Sequence, residues 1–252
     1  MRFTLETDQI AVIDDFLSPD QHQTVWNYMT AEQYTQMNVI NWAGAWRLDD
    51  GQAMRGPGTS YGDFQGSAYR YPSKTGIDIL IETMVTNAQS FERWIGRKDK
   101  DWIVFTAAPI VYPRKSGLYW HRDATSWTGS YTYYAHREWN IQWGGELLVA
   151  DSSTQSIPDS HGAFMKSPQE LYGAPNGQKF SYGAHFDNSE ANKTILESGV
   201  GTYVMPKPNR LVIIKERNPH CVTKVDDAAG DHVRASISGF FLKPGFDKSQ
   251  TP

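Results

Sequence analysis

From residue 102 onward the chain is a succession of short runs rich in β-branched and aromatic residues. "WIVFTAAPIVY", "GLYWH", "YTYYAH", "GELLVAD", "GTYVM", "RLVIIK", "CVTKV" and "RASISGFFL" each have the length and composition of a strand. Pro, Gly, Asn or Asp stands between one run and the next, where the chain must turn. Eight such strands with short connections predict a double-sheet jelly roll, the double-stranded β-helix.

The first hundred residues or so read differently. Ile10 to Ile13 form a short apolar strand. Ser18 then suits a helix N-cap, with Pro19 at the first helical position and Val25, Tyr28 and Met29 at helical spacing. Residues 41–73 are rich in Gly, Ser, Asp, Tyr and Arg and read as loops with a short strand. "GIDILIETMVTNAQSFERWIG" predicts one long helix, with Ile77, Leu80, Ile81, Met84 and Val85 as its buried stripe and Gly96 as its stop. Residues 151–199 form a polar segment rich in Ser, Gly, Pro and Asn, long enough to serve as a lid-like insertion. The expected fold class is therefore mainly β with flanking helices around a jelly-roll core. One domain spans 1–252, with helical support over about 14–100 and the insertion at about 151–199.

Charge and composition narrow the partners. A net charge of -4 with dispersed basic residues argues against a nucleic-acid binder, which carries a basic face. No apolar run approaches the roughly 20 residues needed to span a membrane. The single cysteine, Cys221, excludes an internal disulfide framework. With no basic, apolar leader at the start of the sequence, a cytoplasmic location is expected. The 9 Trp, 13 Tyr and 11 Phe suit strands and also the lining of a small-molecule pocket. Trp120, Trp127, Trp139 and Trp143 read as core or pocket lining, and nothing in the sequence fixes an oligomeric state.

The stretch "GLYWHRDATSW" places His121 and Asp123 two apart at a strand end. Residues two apart share a face if the strand continues through them. One imidazole and one carboxylate, joined by a second histidine, would occupy one face of an octahedral metal and leave three positions open. An H-x-D tripeptide alone is weak evidence for that. The second such pair, His185 and Asp187 in "YGAHFDNSE", sits in the polar insertion without a strand pattern and reads as a loop hydrogen bond. His136 reads as surface or pocket wall, His232 as a solvated strand-end residue, and His22 and His161 as surface. Cys221 adjoins His220, but on a strand it points to the opposite face and reads as core.

The order of features around His121 is more specific than any one of them. "VYPRKSGLYWHRD" supplies Tyr112 and Gly117 ahead of the pair, "EWNIQWGGELLVAD" a Gly144-Gly145-Glu146 turn, "NRLVIIKERNPHCVTKV" a distal His220 before Val222 and Val225, and "HVRASISGFFLK" Arg234 and Ser236. In this the chain resembles the 2-oxoglutarate/Fe(II)-dependent dioxygenase superfamily, specifically its prolyl-4-hydroxylase-like branch. The opening "VIDDFLSP" resembles that branch too, so the likeness spans roughly residues 10 to 243.

The resemblance implies that His121, Asp123 and His220 hold Fe(II). It implies that Arg234 forks onto the far carboxylate of 2-oxoglutarate, with Ser236 and Tyr112 beside it. The cofactors implied are Fe(II), 2-oxoglutarate as cosubstrate, and O2. Related halogenases carry Gly or Ala at the carboxylate position, so Asp123 implies attack on an unactivated C–H, with hydroxylation the expected outcome and desaturation or ring closure the alternatives. The lid-like insertion and the aromatic and Arg-bearing upstream segment (Trp42, Trp46, Arg47, Arg55, Tyr61, Arg70) suit a small enclosed substrate with carboxylate anchors. The expected substrate is a free amino acid or natural-product intermediate. The alternatives are hydroxylation of prolyl or other residues in a protein or carrier-bound substrate, or a metal-free jelly-roll module that binds a small molecule.

Overall fold

The computed structural model describes residues 1–37, 50–64, 66–123, 126–151 and 189–245. His161, His185, Asp187, Trp42, Trp46, Arg47 and most of the insertion lie outside the described residues.

In chain order the strands are β1 (Arg2–Glu6), β2 (Ile10–Asp14), β3 (Thr35–Gln36), β4 (Met54–Arg55), β5 (Thr59–Tyr61) and β6 (Tyr69–Arg70). They continue with β7 (Val104–Tyr112), β8 (Leu118–His121), β9 (Trp127–Tyr134), β10 (Leu147–Ala150), β11 (Gly201–Val204), β12 (Leu211–Lys215), β13 (His220–Val222) and β14 (Arg234–Leu242). The helices are α1 (Pro19–Ala31), α2 (Ile77–Thr86), α3 (Glu92–Ile95) and α4 (Ser189–Ser198). Among the described residues no helix is long and apolar enough to cross a membrane.

The eight strands expected from the sequence form the two faces of a jelly roll. One sheet carries β12-β9-β14-β7 in that order and the other β11-β10-β13-β8. The chain crosses between the sheets after β7, β8, β9, β11, β12 and β13, and all pairings within them are antiparallel. The larger sheet is extended by β2 and β1 on one side and by β4 and β3 on the other.

Alternation along the strands gives the larger sheet two apolar faces. Leu211 and Ile213 of β12, Tyr131 and Tyr133 of β9, and Ala235 and Ile237 of β14 pack outward against α1, α2 and α3. Val212, Ile214, Tyr134 and Tyr112 point inward, where they meet Leu147, Val149 and Val222 of the smaller sheet. A sheet covered on both faces explains why β12 reads as a near-continuous apolar run rather than an alternating one. The inward face is the one that matters for chemistry.

Three local expectations are corrected. The long helix predicted up to Gly96 breaks at Asn87, whose side-chain amide donates to the Thr83 carbonyl at 2.8 Å. The Asn87 backbone N–H donates to the same carbonyl at 3.1 Å, and a 3-10 turn (Ala88–Phe91) leads into α3. His136 is not at the surface: it is 2 % exposed, with Nε2 at 2.6 Å from the Pro206 carbonyl. Burial pushes its pKa down to about 4, against the carbonyls of Pro206 and Ala235 that face its two ring nitrogens. His22 is half-buried, its Nδ1 at 2.6 Å from the Tyr133 hydroxyl. Upstream, the loops expected over residues 41–73 do carry short strands, β4, β5 and β6.

Asp14, at the end of β2, ties the N-terminal strands to the rest. It is buried and accepts from Arg210 at 2.6 and 3.2 Å and from Lys207 at 3.1 Å. Burial alone would raise its pKa, but these hydrogen bonds outweigh it and hold the carboxyl well below the usual range. Its contribution is therefore complete above the unfolded pKa of roughly 3.9 and fades as pH falls below that. Asp14→Asn is expected to cost roughly 3 kcal/mol at neutral pH, the low end for breaking a buried pair. In urea titrations that penalty should shrink below about pH 4; an equal penalty at both pH values would contradict this account.

Candidate active site

The pairing of β13 with β8 sets His220 directly opposite His121. Cross-strand partners stand side by side on one face, and the two rings lie 4.3 Å apart between centroids. The strand stops at His121, so strand alternation is not what brings Asp123 to that face. The carboxylate nevertheless reaches both rings, with Oδ1 at 4.0 Å from His121 Nε2 and Oδ2 at 3.9 Å from His220 Nε2. All three residues are buried, and their ligand-type atoms lie within 4.8 Å of one another.

The two histidines are held by the same local device. His121 Nδ1 is 2.7 Å from the Tyr119 carbonyl, and His220 Nδ1 is 2.8 Å from the Asn218 carbonyl, in each case two residues back. A carbonyl only accepts, so Nδ1 carries the proton and Nε2 carries the lone pair. Such a latch fixes tautomer and ring orientation in metal sites. Two imidazole lone pairs and one carboxylate on one side of a buried space match the donor set of a facial triad. Gly117 permits the close approach of β8 to β13, since a methyl group there would sit 2.6 Å from the Val222 carbonyl. Cys221 pairs with Leu148 on the opposite face, and burial pushes its thiol up to about 12, so it offers no thiolate.

Arg234 lies on the inner face of the larger sheet and is 1 % exposed. Its guanidinium is sandwiched by the rings of Tyr112 and Tyr134, each centroid 4.9 Å away. Nε donates to the Gly145 carbonyl at 2.7 Å, and Nη2 lies 3.4 Å from the Tyr134 hydroxyl. Among the described residues no carboxylate pairs with it. Ser236, two residues on and fully buried, shares its face. Burial pushes the phenols of Tyr112 and Tyr134 above their ordinary pKa, so both remain protonated donors. Sequence reasoning missed Tyr134. Its signal was there in "YTYYAH", where alternation turns Tyr134 away from Tyr131 and Tyr133, but the register with β14 is not written in that run.

The Gly-Gly turn serves Arg234. Gly144 and Gly145 both take positive φ (67 and 73), and a methyl at Gly145 would lie 2.9 Å from Arg234 Cδ. The hydroxyl of Thr223 donates to the Glu146 carboxylate, clipping the turn to the strand that carries His220. His232 is exposed and stacked on Trp143, as a strand-end histidine should be.

No protein-family model matches the sequence, and no curated protein matches it. Solved structures do match its fold. A prolyl-4-hydroxylase from Pseudomonas putida superposes with a TM-score of 0.56 at 14% identity, over 94% of both chains. The fold is that of the prolyl-4-hydroxylase-like 2-oxoglutarate oxygenases. A prolyl hydroxylase from Trichoplax adhaerens, solved with a hypoxia inducible factor peptide fragment, gives 0.54 at 17% identity over 94% of this chain and 84% of its own. The non-haem α-ketoglutarate-dependent epimerase of nogalamycin biosynthesis gives 0.54 at 13%, over 94% and 79%. In this oxygenase fold the two clusters described above face each other from opposite sheets.

Gly145→Ala is expected to lower stability by about 1–2 kcal/mol, the cost of a side chain in left-handed backbone. The loss should be visible in denaturant melts. Arg234→Ala in the same background should relieve part of it by removing the crowded Cδ; strict additivity would contradict the contact.

Proposed function

We propose that this protein is a non-haem Fe(II)- and 2-oxoglutarate-dependent oxygenase that hydroxylates an unactivated C–H of a small substrate, a free amino acid or natural-product intermediate. One observation carries the reading: a buried two-histidine, one-carboxylate cluster shares its barrel with a buried arginine that has no carboxylate partner among the described residues. A cationic guanidinium kept out of water at a desolvation cost suits a site whose anion arrives from outside.

In this reading His121 and His220 present Nε2 to the ion, and Asp123 presents one carboxylate oxygen. Their latches to the Tyr119 and Asn218 carbonyls keep the rings from turning away. Bound Fe(II), with 2-oxoglutarate and O2, supplies the oxidising power by which C–H becomes C–OH while the keto acid leaves as succinate and CO2. The chain's residues position and exclude. Arg234 forks onto the distal carboxylate of the keto acid, its plane fixed by Tyr112 and Tyr134. Tyr134 offers a hydroxyl to the same carboxylate, joined by Ser236 and Tyr112. Leu147, Val149, Val212 and Val222 form an apolar wall that keeps water from the reacting centre.

The prolyl hydroxylases among the structural neighbours support the alternative, a prolyl or other residue in a protein or carrier-bound chain. The epimerase of nogalamycin biosynthesis supports a small molecule. A metal-free binding module gives neither metal uptake nor turnover.

Anaerobic Fe(II) with 2-oxoglutarate should produce a weak visible metal-to-ligand charge-transfer band. His121→Ala and His220→Ala should each abolish it. Arg234→Gln should leave Fe(II) uptake intact while raising the 2-oxoglutarate concentration at half-saturation on the order of 10- to 100-fold, the loss of charge-assisted hydrogen bonds. Asp123→Gly should retain cosubstrate binding but lose hydroxylation. No band in the wild-type protein would overturn the oxygenase reading. If the band forms, succinate release stimulated by short peptides and not by free amino acids would select the alternative.

A further inference from the structure

The larger sheet carries a second inward-facing arginine. β4 pairs with β7 so that Arg55 stands opposite Ile110. Ile110 stands opposite Ser236 on its other side, and Ser236 opposite Tyr134. Antiparallel partners project to the same face, so Tyr134, Ser236, Ile110, Arg55 and Thr35 form one row across the barrel's inner wall. The neighbours agree with that orientation. Ala53 belongs to the inner core, and Met54, between the two, packs into the outer one.

Arg55 differs from the other upstream basic residues. Arg70 is committed to an exposed ion pair with Asp63 at 2.6 Å. Arg55 is largely withdrawn from solvent and lies close over the backbone, since a methyl at Gly58 would meet its Nη2 at 3.4 Å. Among the described residues its side chain makes no ion pair and no hydrogen bond. Burial pushes its pKa below that of an ordinary arginine, and no anion stands by to oppose that. The barrel thus holds two guanidiniums without carboxylate partners on one wall, separated by Ile110 and Ser236. One dicarboxylic cosubstrate, bound through one end, accounts for Arg234 alone.

We propose that Arg55 is a substrate-binding residue that pairs with a carboxylate of the substrate, so that the molecule oxidised is a free acid and not an internal residue of a chain. The inference rests on the oxygenase reading. It assigns the two arginines to two different molecules: Arg234 to the keto acid, Arg55 to the acid whose C–H is oxidised. A fork at Arg55 holds the carboxylate on the inner wall and leaves the rest of the substrate to reach toward the His121, Asp123 and His220 cluster. A carboxamide of the same shape leaves the guanidinium without its charge partner, and that penalty is the basis of selection.

The test uses the full chain with Fe(II) and 2-oxoglutarate, without oxygen, and reads changes in the visible band. The probes are the free amino acids, their N-acetyl derivatives and the corresponding 2-hydroxy acids, each beside its carboxamide. Acids are expected to perturb the band and their amides are not. Arg55→Gln should leave the band and the 2-oxoglutarate half-saturation unchanged while raising the half-saturation for an active acid on the order of 10- to 100-fold. Arg55→Lys should recover part of the loss, because the charge remains and the fork does not. An amide as effective as its acid, an acid unaffected by Arg55→Gln, or a wild-type band that no acid perturbs would overturn the assignment. Loss of the band itself in Arg55→Gln would make Arg55 structural and also overturn it. Absence of any band in the wild type would instead sink the oxygenase reading beneath it.

Discussion

The antiparallel register of β13 on β8 is the constraint on which the rest depends. It sets His220 opposite His121, and only in that register do two imidazoles separated by about a hundred residues share one face of a narrow sheet. A slip of one residue would put Cys221 opposite His121 and turn His220 out of the barrel. Several features hold the register. Gly117 lets the backbones close, the Gly144-Gly145 turn bridges to Val225, and Thr223 is tied to Glu146. Each of these contacts acts on the backbone around β8 and β13, so its role in the site is mechanical.

The interior joins two kinds of polar group that a core ordinarily excludes. The acid and imidazoles are buried within reach of one another. Arg234 and Arg55 lie on the facing sheet, where tyrosine faces accommodate the first and the second lies alongside Gly58. Cation–π contact from two rings offsets part of the desolvation of Arg234, yet it cannot neutralise the charge. The barrel is therefore an apolar vessel with a metal-type donor set on one wall and anion-type donors on the other. In the oxygenase reading proposed above, that division would orient a dicarboxylate by charge, before any shape complementarity enters.

The strands of this fold were legible because each carries its own punctuation. β7, β8, β10, β11, β12 and β14 fall within the apolar runs bounded by Pro, Gly, Asn or Asp, and α1 starts at the expected Ser18 cap. What was not legible depended on competition between neighbours. α2 ends at Asn87, where the backbone and side-chain amides both close on the Thr83 carbonyl, although the apolar pattern runs on past it. His136 looks like a polar loop residue until β14 and the Pro206 carbonyl close around it. β3, β4 and β6, of two residues each, exist only because a neighbouring strand offers an edge. Arg55 was visible as an arginine in a loop-like segment, but its inward direction follows from its pairing with Ile110.

The sequence by itself determined the fold class and the identities of the chemical groups. Turn residues and β-branched runs make strands locally, and His121, Asp123, His220, Arg234 and Ser236 were marked by their order along the chain. Only the tertiary structure decided which of these meet. The carboxylate comes within reach of both Nε2 atoms, Tyr134 joins Tyr112 around the guanidinium, and two arginines share an inner wall, through hydrogen bonds between strands distant in sequence. Local pattern sets which way a side chain can point relative to its own strand; the register between strands, fixed by packing on both faces of the sheet, sets what it points at.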